Sequence, residues 1–433
     1  MVKAFIHGLR RKLRNIWSRR RPTHIHKLPN EVLLAIFHAG SHDVWETYEN
    51  KPSTSPTYCN IPFAVLVSHV SVHWRQLAIN DPTLWTNIIA YSPRSIKRAE
   101  AYLRRSKECL LDINCDWLWN VTISTELLSD SGNIPAGLKS IELFFPLAHR
   151  WRRFSFATCR NTHVLNLVAN IRETSAPQLL CLRLLFQNDE PEGLGCPNGS
   201  FLLPAQCQRL QFLEINFRHP YHSPALSVYR HVRPVSSTLS SLILRGCVWD
   251  ENSRNAKIEM PSLRTLSIHG SYGTDIQTDL VTRTLDVLST PALESLLLHN
   301  INNLECGDLR RCIEQSPTPK FPTLRSLGLN LVDIDSNIGC WLTETCPVIT
   351  HLTLSAGNFD NLLPFLSDPD VPQWRELVSL RIFSGHAFWM MEERFVKEFI
   401  IARARMGLPL TELFMSGRYW EEWMESCGAN QQG

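Results

Sequence analysis

Residues 263–268, LRTLSI, place apolar side chains at the first, fourth and sixth positions of a six-residue stretch. The same spacing recurs along the chain at intervals of 24 to 41 residues. Alternating apolar residues predict a short strand with one buried face, and stacked copies predict one parallel sheet over a shared core. The other copies are LKSIEL at 138, LLCLRL at 179, LQFLEI at 210, LSSLIL at 239, LESLLL at 293, LRSLGL at 324, ITHLTL at 349, LVSLRI at 377 and LTELFM at 410, with a degenerate copy, ECLLDI, at 108.

The segments between the copies return the chain to the start of the next strand. One of them, DLVTRTLDVLS at 279–289, has a helical pattern. A proline stands two places before five of the copies, where it suits the start of a strand because it has no N–H to donate. These prolines are Pro177, Pro261, Pro291, Pro322 and Pro347.

The copies resemble the leucine-rich repeat. The resemblance implies an α/β fold over residues 93–427, a curved solenoid with a parallel sheet on its concave side and helices or loops on its convex side. A C-terminal cap would include YWEEWMES at 419–426. The Asn or Cys that ordinary repeats place after the motif is clear only at Cys247, so we expect irregular repeats. The alternative is a non-repeating α/β domain with leucine-rich strands.

Composition places the chain among ordinary globular proteins. Hydrophobic residues make up 44% of its 433 positions and charged residues 20%, which excludes bulk disorder. No run of about 18 uncharged apolar residues is present, so we expect no membrane span. Its thirteen cysteines include no Cys-x-x-Cys pair, which argues against a disulfide framework or a zinc ribbon. A reducing compartment, cytoplasm or nucleus, is the expectation.

Residues 1–21 concentrate positive charge, with eight Lys or Arg and no acidic residue. The rest of the chain has 36 basic residues against 41 acidic ones, so nothing in it predicts nucleic-acid binding. Ile6, Leu9, Leu13 and Ile16 recur at helical spacing between the arginines. Three interpretations stay open: residues 3–21 lie on an anionic membrane, act as a nuclear-import signal, or form a frayed terminus.

Residues 22–92 contain three short apolar segments. LPNEVLLAIF at 28–37 and FAVLVSHVSVHWRQLAI at 63–79 have helical spacing, and DPTLWTNI at 81–88 adds a turn with two large apolar residues. The segment between the helices, residues 40–62, is polar and rich in Pro and Ser, which predicts a long loop. A unit of this size buries little of its surface, so we expect it to share a core or bind a partner.

These segments resemble the F-box through Leu-Pro-x-Glu at 28–31, Ser-x-x-Trp-Arg at 71–75 and Pro-x-Leu-Trp at 82–85. The resemblance implies a small all-α module that docks a Skp-type adaptor, and through it a cullin scaffold. The long loop at 40–62 departs from the family, whose members have a far shorter link between the first two helices. The implied docking residues are Leu28, Pro29, Val32, Leu33, Ile36, Phe37, Val67, Val70, Trp74, Leu84 and Trp85.

No motif in the sequence predicts catalysis. A glycine-rich phosphate loop, Gly-x-Ser-x-Gly and His-Glu-x-x-His are all absent. His69 and His73 have the spacing of a metal pair, but they lack a third ligand and are better interpreted as helix-surface residues. We therefore expect no enzyme activity, no metal and no cofactor.

The strand residues between the buried leucines point to the opposite face of the sheet. We hypothesise that this face binds the target, with Arg245, His269 and His299 forming a basic ladder for an acidic or phosphorylated peptide. The alternative is a variable surface with no special ligand. The candidate residues are Arg245, His269, His299, Asn330, Arg381 and Phe383.

Together the two resemblances imply a substrate-recognition subunit of a Skp–cullin–F-box type ubiquitin ligase, which recruits an unidentified protein target. The alternative is a leucine-rich-repeat scaffold that binds partners without degradation, held at a membrane through residues 3–21.

Overall fold

The computed structural model describes residues 25, 28–41, 62–117, 133–158, 167, 170–171, 173–186, 203–217, 232–245, 257–270, 280–301, 321–332, 342–343, 345–355, 362–367, 374–383 and 389–416. The basic segment at 1–21, most of the predicted loop at 40–62 and the predicted cap at 419–426 lie outside these residues. The chain divides into two compact units, Met1–Ile88 with Lys97–Cys109, and Ile89–Ile96 with Leu110–Gly433.

The described residues of the first unit are mainly helical, apart from Asn87 and Ile88, which begin a strand. Its elements are α1 Asn30–Ser41, α2 Phe63–Ser68, α3 Val72–Asn80, the 3-10 helix Pro82–Trp85 and, from Lys97 onward, α4 Pro93–Ser106. Ser71 begins α3, because its hydroxyl accepts a hydrogen bond from the N–H of Trp74 at 3.1 Å. Asp81 begins the 3-10 helix in the same way, by accepting from the N–H of Thr83 at 3.0 Å.

Aromatic side chains fill the core of the first unit. Phe37 of α1 packs against Trp74 of α3, with ring centroids 5.0 Å apart. Trp85 is buried, and its indole N–H donates to the carbonyl of Ala78 at 2.7 Å. Tyr102 of α4 meets Trp85 edge to face at 4.9 Å. These contacts join the ends of the three short segments into one unit, as their apolar spacing predicts.

The second unit is built on a twelve-stranded sheet. Its order is β1-β2-β3-β4-β5-β6-β8-β10-β11-β12-β13-β14, and every neighbouring pair from β2 to β14 is parallel. The strands are β1 Asn87–Ala90, β2 Leu111–Asp116, β3 Trp151–Thr158, β4 Cys181–Phe186, β5 Phe212–Phe217, β6 Ser241–Arg245, β7 Ile258–Glu259, β8 Thr265–His269, β9 Leu288–Ser289, β10 Ser295–Ile301, β11 Ser326–Val332, β12 His351–Ser355, β13 Ser379–Phe383 and β14 Glu412–Ser416.

The connections between the strands contain the remaining elements. Strands β7 and β9 pair in a separate two-stranded sheet. Four α-helices and two 3-10 helices accompany the sheet in the described residues. They are α5 Asn133–Phe144, α6 Leu280–Val287, α7 Leu362–Ser367, α8 Trp389–Arg405, and the 3-10 helices Phe145–Arg150 and Arg233–Val235. The predicted helix at 279–289 is therefore confirmed as α6, with β9 at its end.

Nine copies of the repeated motif are confirmed as neighbouring strands in one register. The fourth motif position always pairs with the fourth position of the next copy, as in Leu242 with Leu266 and Leu266 with Leu296. The degenerate copy at 108 overlaps strand β2, but Ile113 and not its fourth residue, Leu111, pairs with Phe154 of β3. Buried apolar side chains thus form continuous columns along one face of the sheet, as the alternation predicts.

The copy LKSIEL at 138 is a wrong prediction, because these residues lie in helix α5. Its first and fourth positions are three residues apart, which also suits one face of a helix, and Ile141 and Phe144 are buried on α5. The strand at this position is β3, whose first residues, WRRFSF, repeat the motif with aromatic side chains. Phe154 pairs with Leu182 of β4 and so occupies the leucine column.

The prolines before the motifs have a different role from the predicted one. They occupy the second position of a β-turn, four residues before the strand begins. In one such turn the N–H of Leu263 donates to the carbonyl of Met260 at 3.2 Å around Pro261. Pro291 lies in the matching turn before β10, where the N–H of Leu293 donates to Thr290. Proline favours this position because its ring fixes φ near the value the turn requires.

Candidate functional site

The first unit exposes several large apolar side chains that its small core does not bury. Helix α1 buries only Leu33 and Phe37, whereas Val32 and Ile36, four residues apart on the neighbouring face, are 41% and 43% exposed. We call the six that lie on α1 to α3 or in the turn between α2 and α3 the exposed apolar residues. They are Val32, Ile36, Leu66, Val70, Val72 and Ile79. An exposed apolar surface is a feature of interaction sites, so these residues are the candidate docking surface.

The eleven predicted docking residues divide into two sets. Pro29, Val32, Ile36 and Val70 are exposed and Leu28 is half-buried, so a partner can reach them. The other six are buried in the core and support the helices rather than contact a partner. These six are Leu33, Phe37, Val67, Trp74, Leu84 and Trp85.

Sequence reasoning missed three of the exposed apolar residues. Val72 is 66% exposed, and Ile79 lies seven residues further along α3 on the same face. Leu66 of α2 is also exposed. The spacing of Val72 and Ile79 was visible in the sequence, but the motif draws attention to the buried Trp74 between them.

Polar contacts hold the helices of the first unit in place. His38 of α1 lies 2.9 Å from the carboxylate of Asp81, the residue that begins the 3-10 helix. Arg75 of α3 donates to the carbonyl of Ser68 at 2.9 Å. The guanidinium of Arg105 lies over the ring of Trp85 at 4.2 Å. The backbone beneath the exposed apolar residues is therefore fixed by contacts that do not use them.

In the second unit the register brings four of the predicted target-binding residues side by side. Arg245, His269, His299 and Asn330 pair across the consecutive strands β6, β8, β10 and β11. We call these four residues the polar ladder. The Arg245 guanidinium lies 3.2 Å from His269 Nε2, and the two imidazoles stack with centroids 3.8 Å apart. The amide nitrogen of Asn330 lies 2.7 Å from His299 Nδ1.

The polar ladder is less basic than the sequence suggests. Burial, with smaller contributions from the neighbouring His299 and Arg245, lowers the pKa of His269 to about 2. Burial also lowers the pKa of His299 to about 4, again with a contribution from the charge of Arg245. Both imidazoles are neutral at pH 7, so the positive charge of the polar ladder rests on Arg245. Burial across neighbouring strands, which no local pattern reveals, is the cause.

One buried ion pair borders the polar ladder. Arg183 of β4 donates to the carboxylate of Glu214 on β5 at 2.7 Å, and both side chains are largely buried. The negative charge of Glu214, which lies near Arg245, is thereby balanced by the positive charge of Arg183. The face next to the polar ladder therefore presents a paired charge rather than an unpaired carboxylate.

Arg381 and Phe383 lie at the other end of the same face. Phe383 of β13 and Phe414 of β14 are 38% and 48% exposed, and their rings lie 5.4 Å apart. They line an open depression of about 530 Å³ together with Arg381 and Glu412. We call Phe383 and Phe414 the phenylalanine pair. Sequence reasoning named Phe383, but it did not place Phe414 in the candidate set.

Neither a metal site nor a membrane-crossing helix occurs in the part of the chain that the structure describes. No group of three His, Cys, Asp or Glu side chains there is arranged to hold a metal ion. His69 and His73 are both exposed. None of the described helices is long and apolar enough to cross a membrane.

The chain was compared with protein-family models and with curated proteins. No family model matches it, and neither does any curated protein.

Proposed function

We propose that this chain is the target-recruiting subunit of a Skp–cullin–F-box type ubiquitin ligase. In this proposal the first unit is an F-box-like module that docks a Skp-type adaptor in the cytoplasm or nucleus. The in-register copies of the second unit are leucine-rich repeats that capture the protein target. The observation that carries the proposal is the set of exposed apolar residues on helices whose motif resembles the F-box.

The chemistry of such a subunit is proximity. Tethering a target near the enzyme that transfers ubiquitin raises its effective concentration there, and no side chain of the recruiting subunit has to react. A long sheet with polar and aromatic residues on one face suits a protein ligand better than a small molecule. The chain therefore needs a docking surface and a capture surface. We assign the docking surface to the first unit and the capture surface to the second unit.

Val32→Glu with Ile36→Glu is expected to weaken binding of the full chain to a purified Skp-type adaptor at least about 100-fold, because central apolar contacts dominate protein interfaces. Both side chains are exposed, so the variant should keep the fold and the thermal midpoint of the parent. Isothermal titration calorimetry measures the affinity, and copurification of the cullin measures assembly.

Ile401→Glu is the matched control, because Ile401 is an equally exposed apolar residue on α8 in the second unit. Adaptor binding by this control should equal that of the parent. Failure of the parent chain to bind adaptor would leave a scaffold that does not direct degradation.

The alternative in which the scaffold is held at a membrane makes a separate prediction. Binding to vesicles that contain anionic lipid should require residues 1–21, with their eight basic side chains, and should weaken as salt is raised. Flotation of the full chain and of a variant lacking residues 1–21 measures it. Binding that is insensitive to salt, or retained without the segment, would contradict the membrane version.

A further inference from the structure

We infer that the outer edge of β14 binds an extended segment of the protein target, which adds to the sheet as one more strand. The segment presents a basic residue opposite Glu412 and, two places away, an aromatic or aliphatic residue opposite Phe414. The inference rests on the proposed capture of a target by the second unit, and it specifies what that target must present.

The backbone of β14 has one open side. In the described residues β14 lies at the end of the sheet order and pairs with β13 alone. The N–H of Glu412 donates at 3.0 Å to the carbonyl of Val378, the residue before β13. Because alternate residues of a strand bond to opposite neighbours, the N–H and C=O groups of Leu413 and Met415 face the open side. These groups are a template on which an extended segment can pair.

The column of buried leucines ends at this edge. Leu352 and Leu380 are fully buried, and each has a neighbouring strand on both sides. Leu413 occupies the next place in the column and is only half-buried. Phe414, whose side chain lies on the opposite face, is 48% exposed. One more strand would cover both side chains, so it should carry apolar residues at two adjacent places.

The depression beside the phenylalanine pair follows β14. It is lined by four consecutive residues, 411–414, whose side chains alternate between the two faces of the sheet. Arg381 and Phe383 of β13 line its other side. A side chain placed opposite Phe414 enters this space and contacts an aromatic ring, which is a favourable pair on neighbouring strands.

Charge selects the residue two places from that apolar side chain. Glu412 is exposed and forms no ion pair within the described part of the chain, although Arg381 lines the same depression. An added strand lies about 4.8 Å from β14 and about twice as far from β13, so its side chains are closer to Glu412 than to Arg381. Opposite charges on directly opposed residues stabilise a strand pair, and like charges destabilise it. Lys or Arg is therefore preferred there over Asp or Glu.

The sequence of this chain favours a partner segment over the chain itself as the occupant. Residues 417–433 contain three glutamates and one basic residue, Arg418. In a hairpin that returned along β14, Arg418 would lie in the turn, at the other end of the strand from Glu412. A second copy that paired through its own β14, ELFMS, would bring no basic residue to Glu412 either.

Selection of a random dodecamer peptide library on the immobilised full chain tests the inference. The enriched peptides should contain Lys or Arg two places from Phe, Trp, Leu or Ile, with an apolar residue between them. Glu412→Lys should change the basic preference to an acidic one, and Phe414→Ser should remove the aromatic preference alone. Glu259→Lys and Ile401→Ser, matched changes at exposed residues of the second unit outside β14, should leave both preferences unchanged.

N-methyl groups placed along one enriched peptide test whether its backbone pairs with β14. A methyl group on an N–H that bonds to the strand should weaken binding about 10-fold or more, because it leaves a carbonyl of β14 without its donor. The same group one residue away, where the N–H points away from β14, should weaken binding less than about threefold. Fluorescence anisotropy of the labelled peptide measures both affinities. Losses that do not alternate along the peptide would overturn strand addition.

Three other results would overturn the inference. Selected peptides without a basic residue, or a basic preference that Glu412→Lys leaves unchanged, would contradict the pairing with Glu412. Peptide binding that appears only after residues 417–433 are deleted would mean that the chain's own C-terminal segment occupies the edge. A doubling of molecular mass at high concentration that Phe414→Ser abolishes would mean that a second copy occupies it.

Adaptor binding is measured on the same variants and should equal that of the parent. Failed selection with intact adaptor binding rejects this inference alone, whereas absence of adaptor binding by the parent chain rejects the proposed ligase function.

Discussion

Arg403→Met is expected to lower the free energy of unfolding of the second unit by about 3 kcal/mol. Arg403 is 1% exposed, and its guanidinium donates to three backbone carbonyls at 3.1 Å. Two of these carbonyls, Trp374 and Leu377, belong to the turn before β13, and the third, Leu408, follows α8. One side chain thus joins the end of a helix to the start of a strand.

Two opposing effects set the size of this change. Among the described residues, the guanidinium of Arg403 bonds to carbonyl oxygens and to no carboxylate. Burial lowers the pKa of Arg403, so removing its charge recovers some desolvation energy. Against this, the carbonyl of Leu377 loses a donor in a buried place and that of Leu408 in a partly buried one, at about 1–3 kcal/mol each. Trp374 loses less, because its carbonyl also accepts from the N–H of Leu377. The unpaired carbonyls therefore dominate.

Arg403→Lys separates the charge from the geometry. Its ammonium remains buried but cannot reach three carbonyls in the fork that a guanidinium presents, so it should destabilise at least as much as methionine. Arg405→Met, two residues away and exposed, should change stability by less than about 0.5 kcal/mol. Urea denaturation, with hydrogen exchange of peptides covering 374–416, measures the effect. A loss below about 1 kcal/mol for Arg403→Met would contradict the assignment.

The sheet was the most predictable part of this molecule. Nine copies from LLCLRL to LTELFM were placed in register from leucine spacing, because burial of one face leaves a strand no other register. The failure at LKSIEL shows the limit of that reasoning. Its first two apolar positions, three residues apart, suit a helix as well as a strand, and the real strand has Trp151 and Phe154 where leucine is expected.

The candidate surfaces were predictable in position but not in chemical state. Alternation along the strands was enough to place Arg245, His269 and His299 on one face and at one level. Their protonation depends on burial and on neighbours more than 20 residues away in sequence, so a basic ladder was predicted where one charge is present. On α1, helical spacing alone could not tell Val32 from Leu33, because only packing decides which faces solvent.

The neutral histidines predict a marked loss of stability in acid. Each histidine contributes stability that is fully present above its pKa in the unfolded chain, about 6.5. This stability is lost as the pH falls toward its pKa in the folded chain, because the unfolded chain then binds a proton that the folded chain does not. The folded pKa values are about 2 for His269 and about 4 for His299. Two such groups give a slope of about 2.7 kcal/mol per pH unit, or about 5 kcal/mol between pH 6.5 and 4.5.

Replacing His269 and His299 with glutamine should remove this part of the pH dependence, even if the repacked sheet is less stable at neutral pH. Carboxylates titrate in the same range, so the informative quantity is the difference in slope between variant and parent, measured by urea denaturation from pH 7.5 to 4.5. His351→Gln, at an exposed position on β12, should retain the parent slope. If the double variant also retains it, the stacked histidines accept protons within the fold. The polar ladder would then gain positive charge in acid.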